Sequence, residues 1–137
     1  MFAPTQRSYL AMAYADIGQF DDARKCIGEA IAAAENTRER WTEPEVHRVA
    51  GEIELLSPER DMTRAEGHFQ RALGIARAQQ TRSWELRAAT SLARLWRDQG
   101  RRREARDLLA PVYFWFTEGF DTPDLKDAKA LLDELAS

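Results

Sequence analysis

One spacing pattern occurs twice in this chain and leaves little freedom in how the chain can fold. Leu10-Ala11-x-x-Tyr14-x(3)-Gly18-x(4)-Ala23-x(3)-Ile27-x(2)-Ala30 is matched position for position by Leu92-Ala93-x-x-Trp96-x(3)-Gly100-x(4)-Ala105-x(3)-Leu109-x(2)-Val112. A looser copy lies between them: Ala50-Gly51-x-x-Glu54, then, after two extra residues, Ala65-x(3)-Phe69-x(2)-Ala72. Steps of three and four are helical steps. Small Ala11, Gly51 and Ala93 let two helices approach closely, Tyr14 and Trp96 fill the space between them, and Ala23, Ala65 and Ala105 receive the large neighbours. The glycines after the aromatic positions permit a tight reversal. A helix pair of this kind cannot bury both its faces alone, so stacked pairs complete one core. The pattern predicts an all-α chain, an α-solenoid.

Punctuation divides the chain into about seven helices. Gly18-Gln19 ends the first, and Asp21 is placed to cap the second, which stops at Asn36-Thr37-Arg38. Thr42-Glu43-Pro44-Glu45 reads as a capping box with a first-turn proline. Ser57-Pro58-Glu59-Arg60-Asp61 and Gln80-Thr81-Arg82-Ser83 are breaks, Gly100 closes the fifth helix, and Thr122-Pro123-Asp124 opens the last. The resulting expectation is a single domain, 1–137, with repeats at about 5–36, 42–79 and 83–117 and a capping helix at about 122–136. Leu125, Ala128, Leu131, Leu132 and Leu135 form the apolar stripe of that last helix. Tyr113-Phe114-Trp115-Phe116 and Phe120 are expected mostly to pack beneath it.

Composition excludes several functions. The formal charge of −3 argues against a nucleic-acid-binding module, although Arg101-Arg102-Arg103 adds local positive charge ahead of a helix. Cys26 is the single cysteine, so there is no disulfide framework or multi-cysteine metal site, and it reads as a small packing residue. No apolar run reaches the roughly 18–20 residues of a membrane span, and Met1-Phe2-Ala3-Pro4 opens no signal peptide. A cytoplasmic location is expected. No glycine-rich phosphate loop occurs among the 7 glycines. His47 and His68 read as surface or groove-edge residues without a partner at metal spacing. The expectation is therefore no enzyme, no cofactor and no metal.

The Leu-Ala-x-x-Tyr-x(3)-Gly-x(4)-Ala-x(3)-Ile-x(2)-Ala spacing resembles the tetratricopeptide repeat, a helix-turn-helix unit of about 34 residues; the spacing here, near 40, is similar to its longer-helix variants. The middle copy departs from the pattern, with Glu54 at the aromatic position and Pro58 at the glycine position. The string from Ala65 to Arg77, the stretch Leu86 to Leu95 and the ending Thr117 to Leu125 resemble the C-terminal repeats of large bacterial signalling proteins, which join an ATPase core to a nucleotide cyclase or a DNA-binding domain. No residue here matches those catalytic domains.

The family resemblance implies three helix pairs in a right-handed superhelix and a non-catalytic protein-interaction module. In such stacks the first helix of each pair lines a concave groove. Carried onto this sequence, the groove positions are Met12, Ala15 and Asp16, then Arg48, Glu52 and Leu55, then Arg87, Thr90, Arg94 and Arg97. The last four share one helical stripe, and three guanidinium groups suit an acidic or C-terminal peptide. The competing expectation is a solvated face whose arginines pair with Glu85 and Asp98. A regulatory C-terminal portion of a larger signalling protein and a self-assembly unit are the alternative functions. On the self-assembly alternative, contact runs either through one or two aromatics of the segment left exposed or, as a homodimer, through an uncovered N-terminal end with Phe2, Tyr9 and Met12 partly exposed.

Overall fold

The structure, a computed structural model, describes residues 3–36, 40–116 and 122–136. Regular structure among the described residues is entirely helical: α1 (Pro4–Asp16), α2 (Phe20–Asn36), α3 (Glu43–Leu56), α4 (Met62–Gln79), α5 (Arg82–Asp98), α6 (Arg102–Phe114) and α7 (Pro123–Ala136), with one 3-10 turn, Arg40–Thr42, leading into α3. None of these helices is long and apolar enough to cross a membrane. α1 packs on α2, α3 on α4 and α5 on α6, as three pairs. The first helices also touch one another in a row, α1 on α3, α3 on α5 and α5 on α7, while α2 and α4 each pack against the helix that follows. This is the stack of an α-solenoid, closed by α7.

The small positions sit where the helices meet. Ala11, Ala23, Ala65, Ala93 and Ala105 are fully buried. A methyl group added to Gly51 would lie 2.5 Å from the Phe69 ring, itself fully buried, so only glycine admits that aromatic at this distance. One core cluster joins α1 and α2 to Val46, Val49, Ala50 and Ile53 of α3. The other runs from Ala65 and Phe69 of α4 through α5 and α6 to Leu125, Ala128, Leu131 and Leu135 of α7.

Gly18 and Gly100 both have positive φ, +84° and +80°, and each closes its helix with the same pair of backbone bonds. In the first turn Gly18 N donates to Ala15 O and Gln19 N to Tyr14 O; in the third Gly100 N donates to Arg97 O and Arg101 N to Trp96 O. This is the left-handed helix-closing geometry for which glycine is best suited. The middle pair corrects the sequence expectation. Its left-handed residue is Arg60, φ 41°, and not Pro58. Arg60 stands five residues before Ala65, as Gly18 does before Ala23 and Gly100 before Ala105. The first helix ends at the same register position in all three pairs, Asp16, Leu56 and Asp98, so the two extra residues lie in the connection itself, ahead of Arg60, which keeps its place relative to the second helix.

Other local expectations change as well. Thr42 makes no side-chain cap: its backbone is already near-helical, φ −91° and ψ −4°, because the 3-10 turn runs straight into α3. Glu45 cannot reach back to complete a capping box, since its carboxylate is held by other side chains described below. Asp21 lies inside the first turn of α2, and Arg102 and Arg103 lie inside α6. Asp61 and Thr122 do cap, accepting from Arg64 N at 2.9 Å and Leu125 N at 3.3 Å. Of the aromatic run, Tyr113 is buried and Phe116 packs on the core, but Phe114 and Trp115 are 71% and 52% exposed. Four consecutive residues point in four directions around a helix end, so α7 covers only half of them. Phe2, Thr37, Arg38, Thr117 and Phe120 lie outside the described residues.

Candidate functional site

A polar seam crosses all four first helices, and its centre is a residue that the sequence reading did not single out. Glu45, in the first turn of α3, is almost fully buried. Its carboxylate receives Arg48 through two bonds, Nε at 2.7 Å and Nη2 at 3.0 Å. The hydroxyl of Tyr9 on α1 donates to it at 2.8 Å, and Arg87 Nη1 on α5 lies 2.7 Å away. Arg87 continues to Asp124 of α7 at 3.5 Å, and Arg48 to Ser91 at 3.3 Å and Glu52 at 3.7 Å. Burial and the neighbouring Glu45 charge push the Tyr9 phenol pKa up, so Tyr9 remains a donor. Burial opposes the charge on Arg48, but its bonds to Glu45 prevail and hold its pKa above the ordinary value.

Above this seam lies a notch of about 70 Å³ lined by Arg48, Arg87, Thr90, Ser91, Arg94, Asp124 and Asp127. Four expected groove residues, Arg48, Arg87, Thr90 and Arg94, therefore come together, while the others do not join them. Arg97 faces an adjoining space with Arg94 and is held by Glu134 at 2.6 Å and Asp98 at 3.0 Å. Glu52 flanks Arg48, and Met12 packs against the α1–α2 core. Ala15 is buried, Asp16 is exposed and Leu55 packs on the second core cluster. The expected pairing with Asp98 occurs at Arg97, but Glu85 binds Arg77 and Arg82 instead. Arg94 is exposed and makes no hydrogen bond or ion pair among the described residues.

His47 corrects another expectation. It is buried, with Arg71 Nε donating to its Nε2 at 3.3 Å, Glu43 at 3.9 Å and the His68 ring stacked 6.4 Å away, centroid to centroid. Burial, with Arg71 beside it, lowers its pKa to about 4. Glu35, Glu43 and His47 bring one ligand atom each within 4.8 Å of one another. Arg71 also reaches Glu35, at 3.5 Å, so this cluster already has its cation. Cys26 is buried, its thiol donating to Arg7 O at 3.2 Å, and burial raises its pKa.

The residues of the seam and its rim that the sequence did not place in the groove are Glu45, Tyr9, Ser91, Asp124, Asp127 and Glu134. A signal for the first exists: in the repeat register Glu45 and Arg87 occupy the same position on adjacent first helices and carry opposite charge. No curated protein matches the chain. The family model described as Tetratricopeptide repeat matches residues 5–39 and 86–112. Those segments fall on the first and third helix pairs, the two that keep the aromatic and glycine positions. The first and third helix pairs are thus tetratricopeptide repeats, units that generally mediate protein–protein interaction, and the middle pair carries the same packing frame.

Proposed function

We propose that the chain, as one repeat domain over 1–137, is a non-catalytic module that holds a partner's peptide or helix along its row of first helices. Arg94 meets a carboxylate of that partner. The row α1-α3-α5-α7 is the tighter layer of the stack, because its members touch one another; the tighter layer of a curved stack is the concave one. The observation that carries the proposal is the state of Arg94, a guanidinium at the rim of the notch without a partner among the described residues. Arg48 and Arg87 are already balanced by Glu45, Glu52 and Asp124, so they shape the notch and add little net attraction.

Asp124 and Asp127 on the rim repel a long acidic run or a phosphate backbone. The small notch therefore suits a single carboxylate, at a chain end or on one acidic side chain, gripped through the guanidinium fork. The test is a random-peptide array with free or amidated C-termini, probed with the wild type, Arg94→Glu and Arg97→Glu. We expect carboxylate-dependent peptides that the wild type and Arg97→Glu retain and Arg94→Glu loses. Equal binding by the wild type and Arg94→Glu would overturn the role of Arg94.

A further inference from the structure

The repeat register exposes a mismatch at one end of the stack. Gln6, Leu10, Ala13 and Ile17 fall at i, i+4, i+7 and i+11 of one helix face. Their register equivalents on α3 are Val46, Ala50, Ile53 and Ser57, all between 0% and 3% exposed. On α5 the equivalents Ala88, Leu92 and Leu95 are buried as deeply, while Gln99, at the position of Ile17, is exposed. On α1 the same face is open: Leu10 is 40% and Ile17 69% exposed, and Gln6 and Ala13 are exposed too. What covers this face elsewhere is the preceding layer, α1 and α2 against α3, and α3 and α4 against α5. The stripe on α1 thus has the position of an internal packing face without its covering helix. Beside it a groove of about 260 Å³ runs between α1 and α2, apolar at Leu10, Tyr14 and Cys26 and rimmed by Asp22, Lys25 and Glu29.

We propose that a second copy of this chain covers the stripe, α1 against α1, antiparallel about a two-fold axis. Three observations select this occupant. The stripe carries no charged side chain, so two copies meet without repulsion. It is self-complementary: an antiparallel register that sets large Leu10 against small Ala13 of the second copy also brings Gln6 level with its Ile17. Finally, the opposite end of the stack is polar. The free side of α7 carries exposed Lys126, Lys129 and Asp133, with Lys129 and Asp133 3.5 Å apart. Stacking head to tail would lay the apolar stripe on those charges, whereas head-to-head contact matches apolar with apolar and closes after two copies. In the dimer, α1 of the second copy takes the place that α2 holds against α3, continuing a type of interface that α2–α3, α4–α5 and α6–α7 already make.

Sedimentation equilibrium of the full chain from about 1 µM to about 1 mM tests this, since that range spans modest protein affinities. The wild type should pass from monomer to dimer and stop there. Ile17→Arg, at the most exposed stripe position, should weaken the dimer by roughly tenfold or more while leaving the helical circular dichroism unchanged. Gln6→Arg is a second variant at an exposed site and should act in the same direction, while Phe114→Arg, on the remote aromatic segment, should have no effect. A wild type that stays monomeric throughout would overturn the proposal and leave the stripe to a different helical partner. Dimers indifferent to Ile17→Arg and Gln6→Arg, dimers lost with Phe114→Arg, or open-ended oligomers would overturn it equally.

Discussion

The third helix pair keeps the repeat pattern, with Trp96 and Gly100 in place, whereas the middle pair folds into the same frame with Glu54 and Pro58 at those positions. The family match follows the side chains and passes over the middle pair. The frame follows something else: where a small residue faces a large one, and where the left-handed residue falls. The two pairs also differ in what they bury. α3 encloses Glu43, Glu45 and His47, while α5 buries a charge at the first of these positions alone, Glu85, and has Arg87 and Ala89 at the other two. A pair flanked on both sides can bury charge because its neighbours bring partners, Tyr9 from α1 and Arg87 from α5.

The most damaging way to break this comparison is to remove Glu45. Glu45→Ala leaves Arg48, most of it buried, and Arg87 without their carboxylate. Removing one partner of a buried pair costs about 3–5 kcal/mol, and chemical denaturation should show a loss of that size. Lys129→Ala, which breaks an exposed pair on α7, should cost no more than about 1 kcal/mol. If Glu45→Ala were equally mild, the seam would be a surface feature and not a structural centre.

His47 gives the middle pair a pH dependence that its neighbours lack. Its folded pKa of about 4 lies below the ordinary value near 6.5. Between those values the unfolded chain binds more protons, so the contribution is complete above about pH 6.5 and is lost as the pH falls toward 4. Arg71 and His68 oppose the charged form there, and Glu43 favours it. His68, also lowered chiefly by burial, adds in the same direction. The wild type should lose about 2 kcal/mol between pH 7 and pH 5 through His47, and His47→Gln should flatten that slope. Parallel pH profiles for the two proteins would place the sensitivity elsewhere.

The legible parts of this molecule are local. Ala11, Gly51, Ala93 and their partners are legible because helix periodicity fixes which residues meet within a pair, and Gly18 and Gly100 because a positive φ favours glycine. Arg60 was hidden: arginine announces no left-handed turn, and only counting back from Ala65 finds it. The seam was hidden for another reason, since the partners of Glu45 come from α1 and α5 and no local spacing joins them. The groove stripe on α5 was legible as a set of arginines, but not which of them the acids of α7 would engage. That depended on how α7 docks, a packing outcome absent from the stripe's own sequence.

The small-against-large rule can be sharpened by exchange. The paired positions read Ala11 with Ile27, Gly51 with Phe69, and Ala93 with Leu109: the smaller the first residue, the larger the second. Gly51→Ala should gain about 1 kcal/mol in helix propensity but force a methyl into a fully buried ring. Overpacking of this kind costs about 1–3 kcal/mol, so the net change is a loss. Gly51→Ala with Phe69→Leu recreates the third pair's combination and should recover most of it, read as a coupling in a double-mutant cycle. Additive losses would mean that the two residues do not share one space.

The smallest effect distinguishes the turns. Gly100 sits at φ +80°, so Gly100→Ala places a side chain in the left-handed region at a cost of about 1–2 kcal/mol. Nothing lies within 4 Å of the added methyl, so the loss is one of backbone conformation and not of contact. Arg60 already bears that strain at φ 41°. Arg60→Gly relieves it and gives back part of the gain through a more flexible unfolded chain, for a net stabilisation of about 0.5–1 kcal/mol. Opposite signs in thermal melts would establish that Arg60 and Gly100 hold the same structural position. A destabilised Arg60→Gly would instead assign the middle turn's stability to its side chains, and the shared frame would then end at the second helix of each pair.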